Sequence, residues 1–415
     1  MSNFQELQVG DHISLLSGFP FNSDYFNQEE GTRLIRIRDL VESEGETYYR
    51  GTFDPRWLVK PRDILIGMDG DFNIVRWRGE KALLNQRILK AEARPNGLID
   101  QDFFYYWCSP YLIKTHNRTA ATTVKHLSIK DIEKAKGLFP EQSVQRRIAK
   151  ILSTVDEAIE QTEALIAKYQ QIKAGLMHDL FTRGVTPNGQ LRPTYKQAPH
   201  LYKESPLGWI PKEWEVGELR RWLSYLSYGF TNPMPESDEG PYMITAADIN
   251  AGRIQYDTCR KTTRDAFDRL LTQKSRPKVG DVLLTKDGTL GRIAVVDRCD
   301  VCINQSVAVL RPTELQHSQF IAAMLSAPMW QQKMLSDAGG STIKHIYITV
   351  VDKMLVAWPS RSEELEVISA RIENCTAMIE CEEDNLEKLR QQKQGLMQDL
   401  LTGRVRVKVA ESASR

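Results

Sequence analysis

The sequence predicts an α/β protein written twice. Two strand-rich globular domains are separated by two long helices that pair as an antiparallel coiled coil, and the halves are related as a pseudo-two-fold tandem duplication. Three observations carry this. The segment YQQIKAGLMHDLFTRGV (169–185) reappears as LRQQKQGLMQDLLTGRV (389–405), identical at nine of 17 positions with an offset of 220. Fainter blocks recur in the same order in both halves: KPRDILIGMDG (60–70) with KVGDVLLTKDG (278–288), Asn85-Gln86 with Asn304-Gln305, CSP (108–110) with SAP (326–328), and VKHLSI (124–129) with IKHIYI (343–348). The third is a pair of apolar stripes with a period near 3.5, the signature of a coiled-coil seam.

Residues 1–139 form the first domain, with short β-branched runs, turns such as MDG, and one helix around DFFYYWCSP. Residues 140–182 form the first long helix, introduced by Pro140. Its stripe is Ile148, Leu152, Val155, Ile159, Ile166, Tyr169, Leu176 and Leu180. Residues 183–205 are a linker with Pro187, Pro193 and Pro199, expected to resist regular structure. Residues 206–358 repeat the first domain, with KDG as the turn and a helix around HSQFIAAMLSAPMWQQKML. Residues 359–402 form the second long helix, whose stripe is Ile368, Ile372, Cys375, Ile379, Leu386, Leu389, Leu396 and Leu400. Residues 403–415 are a short tail. Thr162, Lys173, Glu382 and Lys393 interrupt the seams at equivalent places. Gly175 and Gly395 each cost about 1 kcal/mol against Ala in a helix, so they suggest a helix end or a close backbone approach.

A helix of about 40 residues is about 60 Å long. A parallel pair would require the linker to span that length almost fully stretched, at about 3.3 Å per residue. Antiparallel pairing is favoured, which would hold the two domains apart like two heads on a rod. Successive major grooves on one face of B-DNA lie about 34 Å apart, so such a layout suits a reader of two different half-sites.

Composition limits the alternatives. The 415 residues carry 55 Lys+Arg and 54 Asp+Glu, a net charge of +1. A uniform basic field is excluded as the means of holding nucleic acid. Residues 1–139 hold 19 basic and 19 acidic residues, and residues 206–358 hold 18 and 17. No apolar run of about 18 residues could span a bilayer. The start, MSNFQELQVGDH, lacks the basic-then-apolar pattern of a secretion signal, so a cytoplasmic location is expected. Six cysteines in so long a chain do not make a disulfide framework. The lone Cys299-x-x-Cys302 lacks the second pair that zinc needs and sits between strand-like runs, so it reads as structural.

Catalytic motifs are missing. There is no GxxxxGK[ST], no GxGxxG opening a helix, no HExxH and no GxSxG. Asn232-Pro233-Met234-Pro235 is the nearest approach to an amino-methyltransferase tetrapeptide, yet it lacks adjacent prolines and the aromatic. His178-Asp179 resembles a metal pair, but the second copy has Gln398-Asp399. Asp69 and Asp287 read first as turn residues. Candidates for DNA contact are the polar and basic loop residues Arg76, Arg78, Asn117, Arg118, Lys125 and His126 in the first half, and Lys286, Arg292, Ser341, Thr342, Lys344 and His345 in the second. Arg fits guanine edges, Asn fits adenine edges and Lys fits phosphate.

The layout resembles the specificity subunit of type I restriction–modification systems over nearly the whole chain. The residues that carry the resemblance are PLGWIPKEWEV (206–216), KDGTLGRIAVV (286–296), NQSVAVLRP (304–312), GGSTIKHI (339–346), Pro140-Glu141-Gln142 and the repeated GLMxDL. Two departures stand out. The second helix opens with Pro359-Ser360-Arg361 in place of Pro-x-x-Glu-Gln, and the first domain has MDGDFNIVRW where the second has KDGTLG. The resemblance implies two target-recognition domains that each read half of a split site in double-stranded DNA. It implies helices that act as a ruler for the spacer and dock two modification subunits. Those partners would use S-adenosylmethionine to methylate adenine N6, and restriction subunits would cleave with ATP and Mg. This chain would bind none of these cofactors and supply no catalytic group. The competing expectation is a coiled-coil adaptor that binds only proteins.

Overall fold

The computed structural model describes residues 4–41, 46–118, 125–336 and 344–407. The chain divides into two units, residues 1–163 with 384–415, and residues 164–383. Each unit holds one head and a stretch of both long helices.

The first head has a four-stranded sheet in the order Ile13–Ser17, Ile88–Ala93, Ile64–Gly67, Ile74–Arg76. The second head repeats it with Leu223–Tyr228, Val307–Pro312, Val282–Thr285, Ile293–Val295. All neighbours within each are antiparallel. A second sheet follows the same rule. Thr32–Ile35 runs parallel to Ala82–Leu84 in one head, as Glu236–Ile244 runs parallel to Val301–Ile303 in the other. Each head is closed by an antiparallel pair, Gln5–Gln8 with Lys136–Phe139 and Glu215–Glu218 with Leu355–Trp358. The central strands Ile64–Gly67 and Val282–Thr285 are buried at every position, which explains their apolar runs Ile64–Ile66 and Val282–Leu284.

The helix expected in each head is present, with one difference. Gln101–Arg118 continues through Pro110, whereas the second copy splits into Ser318–Ser326 and Pro328–Ser336. Ala327, before Pro328, leaves the helical region at φ −71°, ψ 142°. Proline disfavours α geometry in the residue before it, and only the second copy yields to that preference.

The long helices run Gln142–Thr182 and Ser362–Leu401. In the first unit Asp156 pairs with Lys393 (2.7 Å) and Glu163 with Arg390 (2.9 Å). One number rises as the other falls, so the helices are antiparallel. In the second unit Tyr169 lies beside Cys375, and Val185, just past the helix, beside Glu364, in the same sense. The stripe packs into the heads. Ile148, Leu152 and Leu400 belong to the first head's core, and Met177, Leu180, Ile368 and Ile372 to the second's. Val155, Ile159, Tyr169, Leu176, Leu389 and Leu396 are only half-buried, while Ile166, Cys375, Ile379 and Leu386 are buried. Thr162 interrupts the seam without an unmet polar group, since its hydroxyl donates to the Ala158 carbonyl (2.9 Å). No helix among the described residues is long and apolar enough to cross a membrane.

Two expectations are corrected. Gly175 and Gly395 lie inside the helices, and a Cβ on either would meet nothing within 4 Å, so they mark neither an end nor a close approach. Gly184 (φ 61°) and Gly403 (φ 74°) follow the helix ends instead. The linker is also more ordered than its prolines suggested. Tyr202–Ser205 forms a hairpin with Gly208–Pro211. Arg192 is buried and forms a two-pronged ion pair with Glu364 in the first turn of the second long helix. The Val185 amide and the Trp214 indole also donate to Glu364 Oε1, at 2.8 and 3.2 Å. The same place in the first long helix holds Gln145, which is buried and accepts from the Asp100 amide (2.8 Å) while donating to the carbonyls of Leu98 and Pro140.

Candidate nucleic-acid interface

In each head a central strand ends in an Asp-Gly turn, Asp69-Gly70 after Ile64–Gly67 and Asp287-Gly288 after Val282–Thr285. Gly70 and Gly288 take φ of 75° and 78°, which glycine supplies without a Cβ clash. The structure gives each aspartate a partner. His126 Nδ1 donates to Asp69 Oδ1 (2.7 Å), and His345 Nδ1 donates to Asp287 Oδ1 (2.5 Å). Backbone bonds reinforce both clasps: Leu127 N to the Met68 carbonyl (2.7 Å), and Ile346 N to the Lys286 carbonyl (2.9 Å). The repeated turn and the repeated Lys-His segment are therefore one structural feature, present twice.

The second oxygen of each carboxylate meets a cation. Arg87 Nε lies 3.6 Å from Asp69 Oδ2, and Lys286 Nζ lies 2.6 Å from Asp287 Oδ2. These cations come from different places. Met68 bonds to the Arg87 carbonyl as Lys286 bonds to the Ser306 carbonyl, so the counterpart of Lys286 is Met68 and that of Arg87 is Ser306. Each head supplies the charge from the strand on which the other lacks it. Burial alone would push the Asp287 carboxyl up, but hydrogen bonds and charge from Lys286 and His345 outweigh it and hold its pKa below the usual carboxylate value.

Beside each clasp is a second repeated turn, Gly18-Phe19 and Gly229-Phe230. Phe19 and Phe230 bridge to Asn85 and Asn304. A Cβ on Gly18 would lie 1.9 Å from the Asn85 carbonyl oxygen, and one on Gly229 would lie 1.8 Å from that of Ile303. Only glycine permits this approach. In the second head Tyr228, adjoining this turn, is 39% exposed and has two ammonium groups near its ring, Lys274 (5.7 Å from the centroid) and Lys286 (5.5 Å). Such a cluster offers cations for phosphate and an exposed ring for sugar or thymine methyl contact.

The expected contact residues divide. His126 is held by the first head's clasp and Lys286 and His345 by the second's, and Lys344 is exposed beside His345. Asn117 and Arg118 are exposed at the end of Gln101–Arg118. Lys125 is tied locally, its ammonium donating to the His116 carbonyl (2.7 Å). Ser341 and Thr342 lie outside the described residues. Two assignments are corrected. Arg76 turns inward, pairing with Asp102 (3.0 Å) and stacking over Tyr105 and Tyr106. Arg292 is half-buried and donates to the Ile249 carbonyl (2.8 Å). Arg78 is held on the surface by Glu160. The sequence reading missed Arg87, Tyr228, Lys274 and the aspartates' role as clasp acceptors. The signal was available for the clasps, because both blocks recur in both halves. Among the described residues no group of three or more His, Cys, Asp or Glu is placed to hold a metal ion.

Residues 1–171 and 231–391 match the family described as the type I restriction modification DNA specificity domain. A curated relative, the type I restriction enzyme EcoBI specificity subunit of Escherichia coli, is 30% identical over 386 residues, covering 90% of this chain and 79% of the relative. The MjaVIII specificity subunit of Methanocaldococcus jannaschii is 24% identical, covering 85% and 81%. The fold is similar to the crystal structure of a type I restriction–modification S subunit from M. genitalium, with a TM-score of 0.60, 14% identity and 96% coverage of both chains. It is also similar to a chain from a structure of type I restriction–modification complex assembly, with a TM-score of 0.52, 14% identity and 98% and 99% coverage.

Proposed function

Because this chain belongs to the type I restriction–modification DNA specificity family, we propose that it reads a bipartite, asymmetric DNA site, one half per head. The observation that carries this reading is the pair of clasps. The two heads share a strand order and an Asp–His bond but differ in the residues around it, with Arg87 in one and Lys286 with Tyr228 in the other. A shared frame with different surroundings suits two readers of different half-sites. The clasp fixes the loop against the strand end, so base-facing side chains start from a rigid support.

The long helices set the spacer between half-sites and dock two modification subunits. Those subunits methylate adenine N6 with S-adenosylmethionine, and restriction subunits cleave unmodified DNA with ATP and Mg. The chain itself contributes recognition and no catalytic group, and it acts in the cytoplasm of a prokaryote. With its near-zero net charge, it grips DNA weakly alone and tightly once the modification subunits close around the duplex.

The test is adenine-methylation sequencing of DNA from cells expressing this chain with its modification subunit. A bipartite motif with a fixed spacer is expected. Methylation without such a motif, or none at all, would overturn the reading and return the chain to the adaptor class.

A further inference from the structure

The Asn-Gln pair that recurs in the two halves takes no part in the clasps, yet both heads place it in the same way. The Gln86 backbone amide donates to the Phe19 carbonyl (3.0 Å), and the Gln305 backbone amide donates to the Phe230 carbonyl (2.8 Å). The residue after each glutamine is tied to the strand end that carries the clasp. Met68 N donates to the Arg87 carbonyl (2.9 Å), and Lys286 N donates to the Ser306 carbonyl (2.8 Å). Each glutamine is thus fixed between the glycine turn and the Asp-Gly turn. The asparagines are occupied with the backbone beside them: Asn85 Oδ1 accepts from Gln86 N (2.9 Å), and Asn304 Oδ1 accepts from Ser306 N (3.1 Å). The glutamine side chains are not. Both residues are exposed, and neither side-chain amide makes a hydrogen bond among the described residues.

What surrounds the glutamines differs between the heads. Ser17 stands where the second head has Tyr228, Met68 where it has Lys286, and Arg87 where it has Ser306. Phe19 is exposed against Trp57 (4.4 Å between rings), whereas Phe230 packs on Met243, Phe267, Leu271 and Cys302. A residue held identically in both heads cannot tell two different half-sites apart. It suits something that both half-sites contain. Two modification subunits on two heads would give each half-site one target adenine, paired with thymine.

The chemistry of that pair matches a primary amide. A base whose exocyclic amine is to react must leave the stack. Extruding adenine strands the thymine N3–H, a donor, and the thymine O4, an acceptor. The glutamine amide sets an acceptor oxygen beside a donor NH2, the arrangement that adenine itself offers to thymine. Phosphate contact is served by cations, which each head already holds in Arg87 or Lys286.

We propose, resting on the adenine-methylating complex inferred above, that Gln86 and Gln305 pair with the thymine left behind when the target adenine is extruded, one in each half-site. Discrimination between half-sites then falls to the residues that differ around them.

The test uses the full chain assembled with its modification subunit, on duplexes carrying the motif found by methylation sequencing. Gln86→Ala is expected to slow methylation of the first half-site's adenine about tenfold, the worth of one or two hydrogen bonds, with the second half-site methylated at the parent rate. An abasic site in place of the thymine opposite that adenine should erase the difference between variant and parent. 2-Aminopurine at the target position should brighten less with the variant than with the parent. Gln305→Ala should do the same in the second half-site only. Equal slowing on the thymine and abasic duplexes, slowing in both half-sites, unchanged 2-aminopurine brightness or no slowing would each overturn the assignment and leave the partner reading standing. Absence of any bipartite methylated motif with the unaltered chain would overturn both.

Discussion

His126 Nδ1 lies 2.7 Å from Asp69 Oδ1, joining residues 57 positions apart, and His345 repeats the bond to Asp287 across 58 positions. Because Nδ1 is committed to the carboxylate, Nε2 is the ring nitrogen left for an outside partner. Both rings keep part of their surface open, at 45% and 42% side-chain exposure. The clasp is therefore a support with an accessible outer edge, located where each head's Asp-Gly turn meets its Lys-His segment.

Breaking one clasp should disturb one half-site. Asp69→Ala is expected to weaken the assembled complex about tenfold for cognate DNA, about 1.4 kcal/mol, with discrimination lost in the first head's half only. Competition binding with oligonucleotides mutated in either half checks this. Equal loss of discrimination in both halves would contradict it.

The Asp287 clasp has a defined acid limit. Its folded pKa lies below the ordinary value of 3.8. The stabilisation is therefore fully present above about pH 3.8 and lost as pH falls through the lower folded value. Asp287→Asn should be less stable than the parent at neutral pH, with the gap closing below pH 3.8. Urea melts across that range measure it.

Glu364 should be among the most sensitive positions. Its side chain is 1% exposed and Arg192 is 4% exposed. Removing one member of a buried pair leaves an uncompensated charge and costs about 3–5 kcal/mol. Glu364→Ala should lose stability on that scale in a urea melt. The double variant Arg192→Met with Glu364→Leu should lose less than Glu364→Ala alone.

Gly229→Ala should destabilise by at least the about 1–3 kcal/mol of core overpacking, because the Ile303 carbonyl oxygen stands 1.8 Å from the new Cβ. Gly175→Ala meets open space and should stabilise its helix by up to about 1 kcal/mol. Thermal melts of the two variants should move in opposite directions.

The layout was legible because it depends on local pattern. Heptad spacing, the repeated GLMxDL and matching turn blocks are short-range signals, and duplication made each visible twice. The direction of helix pairing followed from linker reach. The clasps were half legible: Asp69 and Asp287 were read as turn residues and His126 and His345 as surface candidates, with no local rule to join them. Arg87 was invisible because its partner lies on another strand and its second-copy counterpart is Ser306. Arg76 was misassigned because an arginine next to a turn looks solvated until Tyr105 and Tyr106 are packed around it. The linker misled because proline content reports local stiffness. Burial of Arg192 against Glu364, 172 positions away, is a tertiary event.

We propose that each head reads its own half of the site. It is tested most directly by replacing residues 206–358 with the equivalent head of another family member and sequencing the adenine methylation made by the assembled complex. One half of the methylated motif is expected to change while the other half and the spacer stay the same. A change in both halves, or in neither, would contradict it.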